Sequence, residues 1–154
     1  MPEIYVDADA CPVKDEVYRV AERYGAKVYL VTNGSVRAPL LPWIERMIVG
    51  EGMDAADDWI AANIKPGDIA ITTDIPLAAR CLKAGAQALA PNGRAFTEDS
   101  IGSALASREL MSQLRDMGIA RGGPQPFSKR DRSEFLQALD KAVQQTLRLQ
   151  PPPS

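Results

Sequence analysis

Short apolar runs alternate with segments of helical period in the first part of the chain, and this alternation sets the fold class. Five runs have the character of strands, at 4–6, 28–31, 47–49, 69–71 and, more weakly, 87–90. The runs are almost continuously apolar, which is typical of strands that are covered on both faces. We therefore predict an α/β fold of three layers: a mostly parallel central sheet of about five strands with helices on both faces.

Helices are predicted between most of these runs, because apolar residues recur there at three- and four-residue spacing. The apolar face of the first helix consists of Val13, Val17, Val20 and Ala21. The inward face of the second helix consists of Met53, Asp57, Ile60 and Ile64. Glycine at 25 ends the first helix, and Pro76 begins a third. The stretch 34–42 is the one connection that reads as a loop.

Beyond residue 99 the pattern is purely helical. One helix is expected at 101–118 and another near the C-terminus, where Ser128 and Asp131 have the spacing of a capping box. The last residues, which end in PPPS, are expected to be disordered. Because 154 residues suffice for one sizeable core, we predict one domain and a disordered tail, over 1–148 and 149–154.

Composition excludes several classes of protein. No apolar stretch is long enough to span a bilayer and no signal segment is recognisable, so we expect a cytoplasmic protein that does not bind membranes. The chain has no histidine, which excludes an imidazole base, a Ser-His pair and a His-containing zinc site. The two cysteines, Cys11 and Cys81, are too few for a disulfide framework and read as buried thiols. Carboxylate chemistry, thiol chemistry or no catalysis remains.

The charges are distributed unevenly along the chain. Residues 1–100 carry 10 basic and 15 acidic side chains, whereas residues 101–154 carry 8 basic and 5 acidic ones. The pI of about 5.2 excludes a uniformly basic protein that binds nucleic acid. A local basic segment that faces an acidic, metal-loaded site is still compatible with these numbers.

Acidic side chains follow two of the predicted strands. Asp7 and Asp9 end the first apolar run and point the same way if the strand persists that far, so they could share a cation. Asp74 follows the fourth run, and ligands of open α/β sheets bind at the carboxyl ends of strands. Asp57 is expected to face inward from the second helix. Carboxylates that converge without histidine are typical of sites for Mg²⁺ or Mn²⁺.

Each of these acids except Asp7 also has a simple structural explanation. Asp74 and Asp9 could cap helices, and Asp57 could complement a helix dipole. Asp7 is harder to explain in this way, because it directly follows a buried run. The basic residues Lys129, Arg130 and Arg132 are the kind of run that most often forms a solvated face.

Five motifs together resemble one family of proteins. The stretches are VDADACPVKDEV, MDAADDWI, GDIAITTDIPLAARCL, SRELMSQLRDMG and GGPQPFSKRDRSEFLQALD. In this order, over residues 3 to about 148, they resemble the bacterial YaiI/YqxD family, which is assigned to the PIN-like fold of metal-dependent nucleases. The resemblance implies an acidic catalytic cluster of Asp7, Asp57 and Asp74, with Asp9 as a further metal ligand. Whether Asp99 adds another acid stays open.

The resemblance also implies a reaction and a substrate class. The acidic cluster would hold Mg²⁺ or Mn²⁺, one ion or two, and hydrolyse phosphodiester bonds, by analogy in single-stranded RNA. Thr72, Thr73, Asn33 and Ser35 could donate hydrogen bonds at strand ends. The cations expected to steer the RNA backbone are Arg121, Lys129, Arg130 and Arg132.

Two other functions are compatible with the sequence. A haloacid-dehalogenase-like phosphatase would use Asp7 as its nucleophile, but Pro12 starts a helix where that fold forms a flap. A non-catalytic module that binds RNA or protein on a PIN-like scaffold would retain the acids without cleaving. Exposure of Trp43 or Trp59 would indicate a homodimer.

Overall fold

A computed structural model describes residues 2–34, 36–50, 54–102 and 128–149. Its strands are β1 (Ile4–Asp7), β2 (Val28–Thr32), β3 (Ile44–Ile48), β4 (Ile69–Ile71) and β5 (Gln87–Leu89). Its helices are α1 (Lys14–Tyr24), α2 (Ala55–Asn63), α3 (Ile75–Lys83) and α4 (Lys129–Leu149), with a short 3-10 helix at Ala8–Ala10. Residues 98–102 are also helical, where a described segment ends.

The strands form one sheet in the order β3-β2-β1-β4-β5, and every neighbouring pair is parallel. The central strand is β1, where Ile4 lies beside Val28 of β2 and Ile69 of β4. After β1 the chain forms β2 and then β3 on one side of it. The chain then crosses back and forms β4 and β5 on the other side of β1. The carboxyl ends of β1 and β4 therefore border the topological switch point of the sheet.

Helices cover both faces of the sheet, which confirms the predicted α/β fold. Ile4 and Val6 point to one face, where they pack with the apolar sides of α1 and α4. Tyr5 points to the other face, where it packs with α2 and α3. Because the first three side chains of β1 are all buried, the central strand has no polar alternation up to Asp7, as its sequence predicts.

The predicted ends of several helices are confirmed. Helix α1 ends at Gly25, which has a φ of 68° and is left-handed, the conformation in which glycine carries little strain. The capping box at the start of α4 is present. The Ser128 N–H donates to the Asp131 carboxylate at 3.0 Å, and the Asp131 N–H donates to the Ser128 hydroxyl at 3.2 Å.

The third strand begins and ends earlier in the sequence than predicted. The sequence indicated 47–49, whereas β3 spans Ile44–Ile48. The strand is at the edge of the sheet, so Glu45 and Arg46 are exposed, and a search for continuous apolar runs overlooks them. The connection before β3 contains no helix in the part that the structure describes, as expected for 34–42.

Other sequence predictions lie partly outside the described residues. These are Ser35, Met53, Arg121, most of the helix at 101–118 and the tail from 150 onward. Helix α4 extends to Leu149, one residue beyond the predicted end of the domain. Trp43 and Trp59 are half-buried, so neither supports the homodimer, which stays a prediction. No helix in the described ranges is long and apolar enough to cross a membrane.

Candidate functional site

The hydroxyl of Thr72 connects the two strand ends at the switch point. Thr72 follows β4, is almost fully buried, and donates a hydrogen bond of 3.2 Å from Oγ1 to Oδ2 of Asp7, the last residue of β1. The same Oγ1 accepts the N–H of Asp74 at 3.0 Å. Because its acceptor side receives this N–H, the hydroxyl proton is directed to Asp7. The carboxyl end of β4 is thereby held against that of β1.

Asp74 caps helix α3. Its Oδ1 accepts the N–H of Leu77 at 2.8 Å, so the structural explanation suggested by the sequence is correct for one of its oxygens. Oδ2 accepts no hydrogen bond from the residues that the structure describes. The carboxylate is therefore held in place through one of its oxygens.

Asp57 lies in the first turn of α2 and is half-buried. Burial is the main reason that its pKa rises to about 6, and the negative charges of Asp74, Asp7 and Asp54 raise it further. The positive charge of Arg80, whose guanidinium pairs with the neighbouring Asp58 at 2.9 Å, lowers the pKa of Asp57 by less than these effects raise it. Within the described segments, the Asp57 carboxylate makes no hydrogen bond or ion pair.

The pKa of Asp7 is also raised, again mainly by burial. The hydrogen bond from Thr72 opposes this shift, whereas the charges of Asp74 and Asp9 add to it. Asp7, Asp57 and Asp74 thus form one electrostatically coupled group, which we call the acidic cluster. Its ligand atoms are all carboxylate oxygens, the donor type that Mg²⁺ and Mn²⁺ prefer.

The acidic cluster is not a closed coordination shell. Among the residues described, no three Asp, Glu, Cys or His side chains are grouped closely enough to hold a metal ion by themselves. A hydrated Mg²⁺ usually keeps several waters and takes only one or two carboxylates directly. The residues present are therefore compatible in donor chemistry with a hydrated divalent cation.

Strand β1 does not persist to Asp9, so the alternation on which a shared face of Asp7 and Asp9 depended does not apply there. Strand β1 ends at Asp7, and the 3-10 helix turns the chain so that Asp9 faces the end of β2. There its carboxylate accepts the Thr32 hydroxyl at 2.5 Å and the Asn33 N–H at 2.9 Å. Asp9 therefore holds the ends of β1 and β2 together, although its charge still raises the pKa of Asp7.

The other polar residues predicted at strand ends differ in their contacts. Asn33 contributes its backbone N–H to Asp9. Thr73 is exposed, and its hydroxyl bonds to none of the described residues. Asp99 is exposed in the helical segment 98–102 and is not among the charges that shift the pKa of Asp7 or Asp57.

Two of the predicted basic residues that the structure describes are engaged in contacts with other residues. Arg132 donates from Nη1 to the carbonyl of Pro12 at 2.7 Å and lies 3.4 Å from Glu16, which brings the start of α4 beside the start of α1. Arg130 pairs with Glu134 at 3.0 Å. Lys129 is exposed beside them.

Sequence reasoning overlooked two residues of this region. Thr32 is fully buried, ends β2 and binds Asp9, as Thr72 after β4 binds Asp7. A threonine directly after an apolar run is the signal that could have identified it. Lys14 donates from Nζ to the carbonyls of Cys11 at 2.7 Å and Ala8 at 3.4 Å and so holds the 3-10 turn. Nothing in the sequence distinguishes this lysine from a solvated one.

The two cysteines are buried, as predicted, and burial raises the pKa of both thiols to about 11. A thiol with such a pKa is a poor nucleophile at neutral pH. The 3-10 helix and α1 follow Asp7 directly, so the described backbone has no flap of the kind that a haloacid-dehalogenase-like phosphatase forms there.

The chain is similar to proteins of one bacterial family. A family profile described as "Uncharacterized BCR, YaiI/YqxD family" matches residues 5–145. Proteins named UPF0178 from two strains of Rhodopseudomonas palustris, TIE-1 and CGA009, are 62% and 61% identical over 154 residues, which is 100% of this chain and 98% of each relative. A UPF0178 protein from Nitrobacter winogradskyi is 60% identical over 145 residues, covering 94% of this chain and 92% of the relative. No solved structure matches the chain.

Proposed function

The chain belongs to the YaiI/YqxD family, and we propose that it is a Mg²⁺- or Mn²⁺-dependent nuclease that hydrolyses phosphodiester bonds in single-stranded RNA. The proposal assigns catalysis to the acidic cluster of Asp7, Asp57 and Asp74. Such a reaction on RNA would take place in the cytoplasm, without a membrane partner.

One observation carries the proposal: Asp7 and Asp74 lie on the two sides of the switch point and are joined through the hydroxyl of Thr72. Open α/β sheets bind their ligands at this position. Burial, and then the negative charge gathered there, raises the pKa of Asp57, and a bound cation would offset the effect of that charge. An oxygen-only donor set is also the kind that binds Mg²⁺ or Mn²⁺ together with a phosphate.

The carboxylates of Asp7, Asp57 and Asp74 would hold the metal, and Asp9 would add its charge from the end of β2. A divalent ion in such a site activates water and neutralises the charge that develops on the phosphate. Thr72 orients the carboxylate of Asp7, and the cap bond to Leu77 orients that of Asp74.

The substrate would be held by groups around the acidic cluster. The positive end of the α3 dipole lies beside Asp74 and favours a phosphate there. In this proposal Lys129 and Arg130, at the start of α4, attract the phosphate backbone of the RNA. Arg121 has the same proposed role. Thr73 and Asn33, together with Ser35, offer hydrogen bonds to the substrate at the strand ends.

Calorimetric titration with Mg²⁺ and Mn²⁺ tests the metal site. Asp74→Asn is the informative variant, because asparagine caps helices as well as aspartate and so removes the charge while keeping the start of α3. We expect it to weaken metal binding about tenfold or more, equivalent to roughly 1.4 kcal/mol. Asp58→Asn is the matched control, since Asp58 is exposed on α2 and pairs with Arg80; metal binding should not change.

Incubation with mixed single-stranded RNA tests the reaction. Metal-dependent cleavage by the wild type that disappears in Asp74→Asn but persists in Asp58→Asn is the expected result. Absence of metal binding in the wild type would contradict the nuclease proposal. RNA binding without cleavage in either metal would favour the non-catalytic module, and a covalent phosphate on Asp7 would favour the phosphatase.

A further inference from the structure

The outer side of β3 carries a shallow apolar groove that the acidic cluster does not use. The loop 37–42, together with Ile44 and Arg46, surrounds a cavity of about 590 Å³, which we call the β3 groove. Leu40 is fully exposed beside it, and Leu41 is also exposed. Ile48, at the end of β3, exposes 61% of its surface. Exposed apolar side chains that lie together in this way mark interaction sites more often than isolated ones do.

The groove lies along an open strand edge. Trp43 accepts the N–H of Val28 with its carbonyl, and Val49 donates its N–H to the carbonyl of Thr32, so these odd-numbered residues turn their backbone groups towards β2. In a parallel ladder the alternate residues face the other way. The backbone N–H and C=O groups of Arg46 and Ile48 are therefore directed away from the sheet, as on any edge strand that accepts another strand.

The rim of the β3 groove is positively charged. Arg37 and Arg46 are both exposed, and neither forms an ion pair with an acid in the described part of the chain. Arg46 instead donates to the carbonyl of Gly34 at 2.8 Å. The adjacent acid, Glu45, pairs with Lys27 at 2.9 Å. An occupant with carboxylates would find these two guanidinium groups available.

A second copy of this chain does not fit the charges of the groove. Two β3 strands related by a two-fold axis would pair antiparallel, and side chains on one face of the joined sheet would be opposite each other. With the pairing centred on β3, Arg46 would oppose Arg46 of the copy. Like charges that are directly opposite destabilise such a pair.

We propose that the β3 groove binds an extended peptide segment of another protein that carries both apolar residues and Asp or Glu at every second position, so that these side chains share the face of the strand that covers the groove. The segment adds to β3 as a sixth strand and pairs with the backbone groups of Arg46 and Ile48. Its apolar side chains cover Leu40 and Leu41, and its carboxylates bind Arg37 and Arg46. This inference is independent of the proposed nuclease activity.

Selection from a display library of random peptides on the immobilised full-length protein tests the proposal. We expect recovered sequences to carry apolar and acidic residues two positions apart, on one face of the strand, and their binding to fall about tenfold or more in Leu40→Asp and in Arg37→Glu. Both positions are exposed and make no hydrogen bond within the described residues, so these variants should fold. Arg19→Glu, on the exposed side of α1, is the matched control and should bind as the wild type does.

Several results would overturn the proposal. Recovery of no peptide, or of peptides without acids, would do so, as would equal binding to the Leu40→Asp variant. Sedimentation of the wild type as a dimer that Leu40→Asp dissociates would assign the groove to a second copy. Displacement of the bound peptides by a single-stranded RNA oligonucleotide, lost in Arg37→Glu, would assign it to nucleic acid instead.

Discussion

Thr72 donates a hydrogen bond to Asp7 across the boundary between β4 and β1, two strands whose residues here are 65 positions apart in the chain. The bond connects a buried hydroxyl to a carboxylate whose pKa is raised mainly by burial. It acts against that shift, so Thr72 helps to keep Asp7 ionised. The Thr72 hydroxyl thus has two effects: it lowers the pKa of Asp7, and it links the end of β4 to the end of β1.

Replacing this hydroxyl should change the titration of Asp7. In Thr72→Val the carboxylate loses its donor, so the pKa of Asp7 should rise above that in the wild type. The Asp74 N–H also loses its acceptor, so unfolding should become easier by about 1–2 kcal/mol. Carboxyl NMR titration and urea unfolding measure these effects. Thr72→Ser, which retains the hydroxyl, is the control, and an unchanged Asp7 pKa in the valine variant would contradict the prediction.

Asp57 should make stability depend on pH. Its folded-state pKa of about 6 lies above the ordinary value of 3.8, so the folded state binds the proton more tightly than the unfolded state. The protonated Asp57 therefore stabilises the folded state relative to the ionised one. This contribution is fully present below about pH 4 and is lost as the pH rises through about 6. Asp57→Asn should therefore be more stable than the wild type above pH 6, by about 1 kcal/mol after allowance for solvent screening.

Urea unfolding from pH 3.5 to 8, in the presence of EDTA, measures the effect of Asp57→Asn. The difference between this variant and the wild type should vanish below pH 4. Asp58→Asn is the control, because it removes only the exposed ion pair with Arg80 and should give no gain above pH 6. A gain at pH 7 that is equal in both variants would show that burial of Asp57 is not its cause.

Gly93 should tolerate no side chain. Its φ is 90°, and a Cβ would lie 2.8 Å from the backbone carbonyl atoms of Glu134 in α4. Gly93→Ala should destabilise the fold by about 3 kcal/mol, from backbone strain and from displacement of α4. Gly25→Ala isolates the strain, because Gly25 has a φ of 68° with no atom within 4 Å, and it should cost only about 1 kcal/mol. Equal thermal stability of the two variants would contradict the clash.

Asp68 should be a structural acid. It is buried, and its two oxygens accept the N–H groups of Glu3 and Lys65, each at 3.0 Å. Asp68→Ala leaves both donors without their acceptor and should cost about 2–4 kcal/mol in urea unfolding. Asp68→Asn keeps one acceptor oxygen and should lose less. RNA cleavage by the folded Asp68→Asn variant should not change, since these contacts lie at the opposite end of β1 from Asp7.

The fold was largely predictable from sequence, because four of the strands are buried or nearly so and their apolar runs are continuous. The exception, β3, is an edge strand whose exposed Glu45 and Arg46 interrupt the pattern. The convergence of Asp7, Asp57 and Asp74 followed from their places at strand ends and on an inward helical face. The orientation of Asp9 did not, because it depends on a 3-10 turn that alternation cannot anticipate.

The hydrogen-bonding partners of the basic residues were also beyond sequence reasoning. Arg132 binds the carbonyl of Pro12, a residue 120 positions away, so its engagement depends on how α4 packs on α1. A run of positive charge in a sequence gives no information about such a contact. Whether the remaining cations bind RNA stays a prediction.

The packing of α4 on α1 joins the beginning and the end of the chain, and this affects how the protein acquires its structure during synthesis. Phe135 and Leu139 complete the core that Val17 and Val20 begin. Until α4 has docked, a chain that already includes all five strands and α1 leaves this part of the core incomplete. Contacts between segments so far apart in the chain form slowly, because a long loop must close first, and during that time chaperones can bind the uncovered apolar side chains.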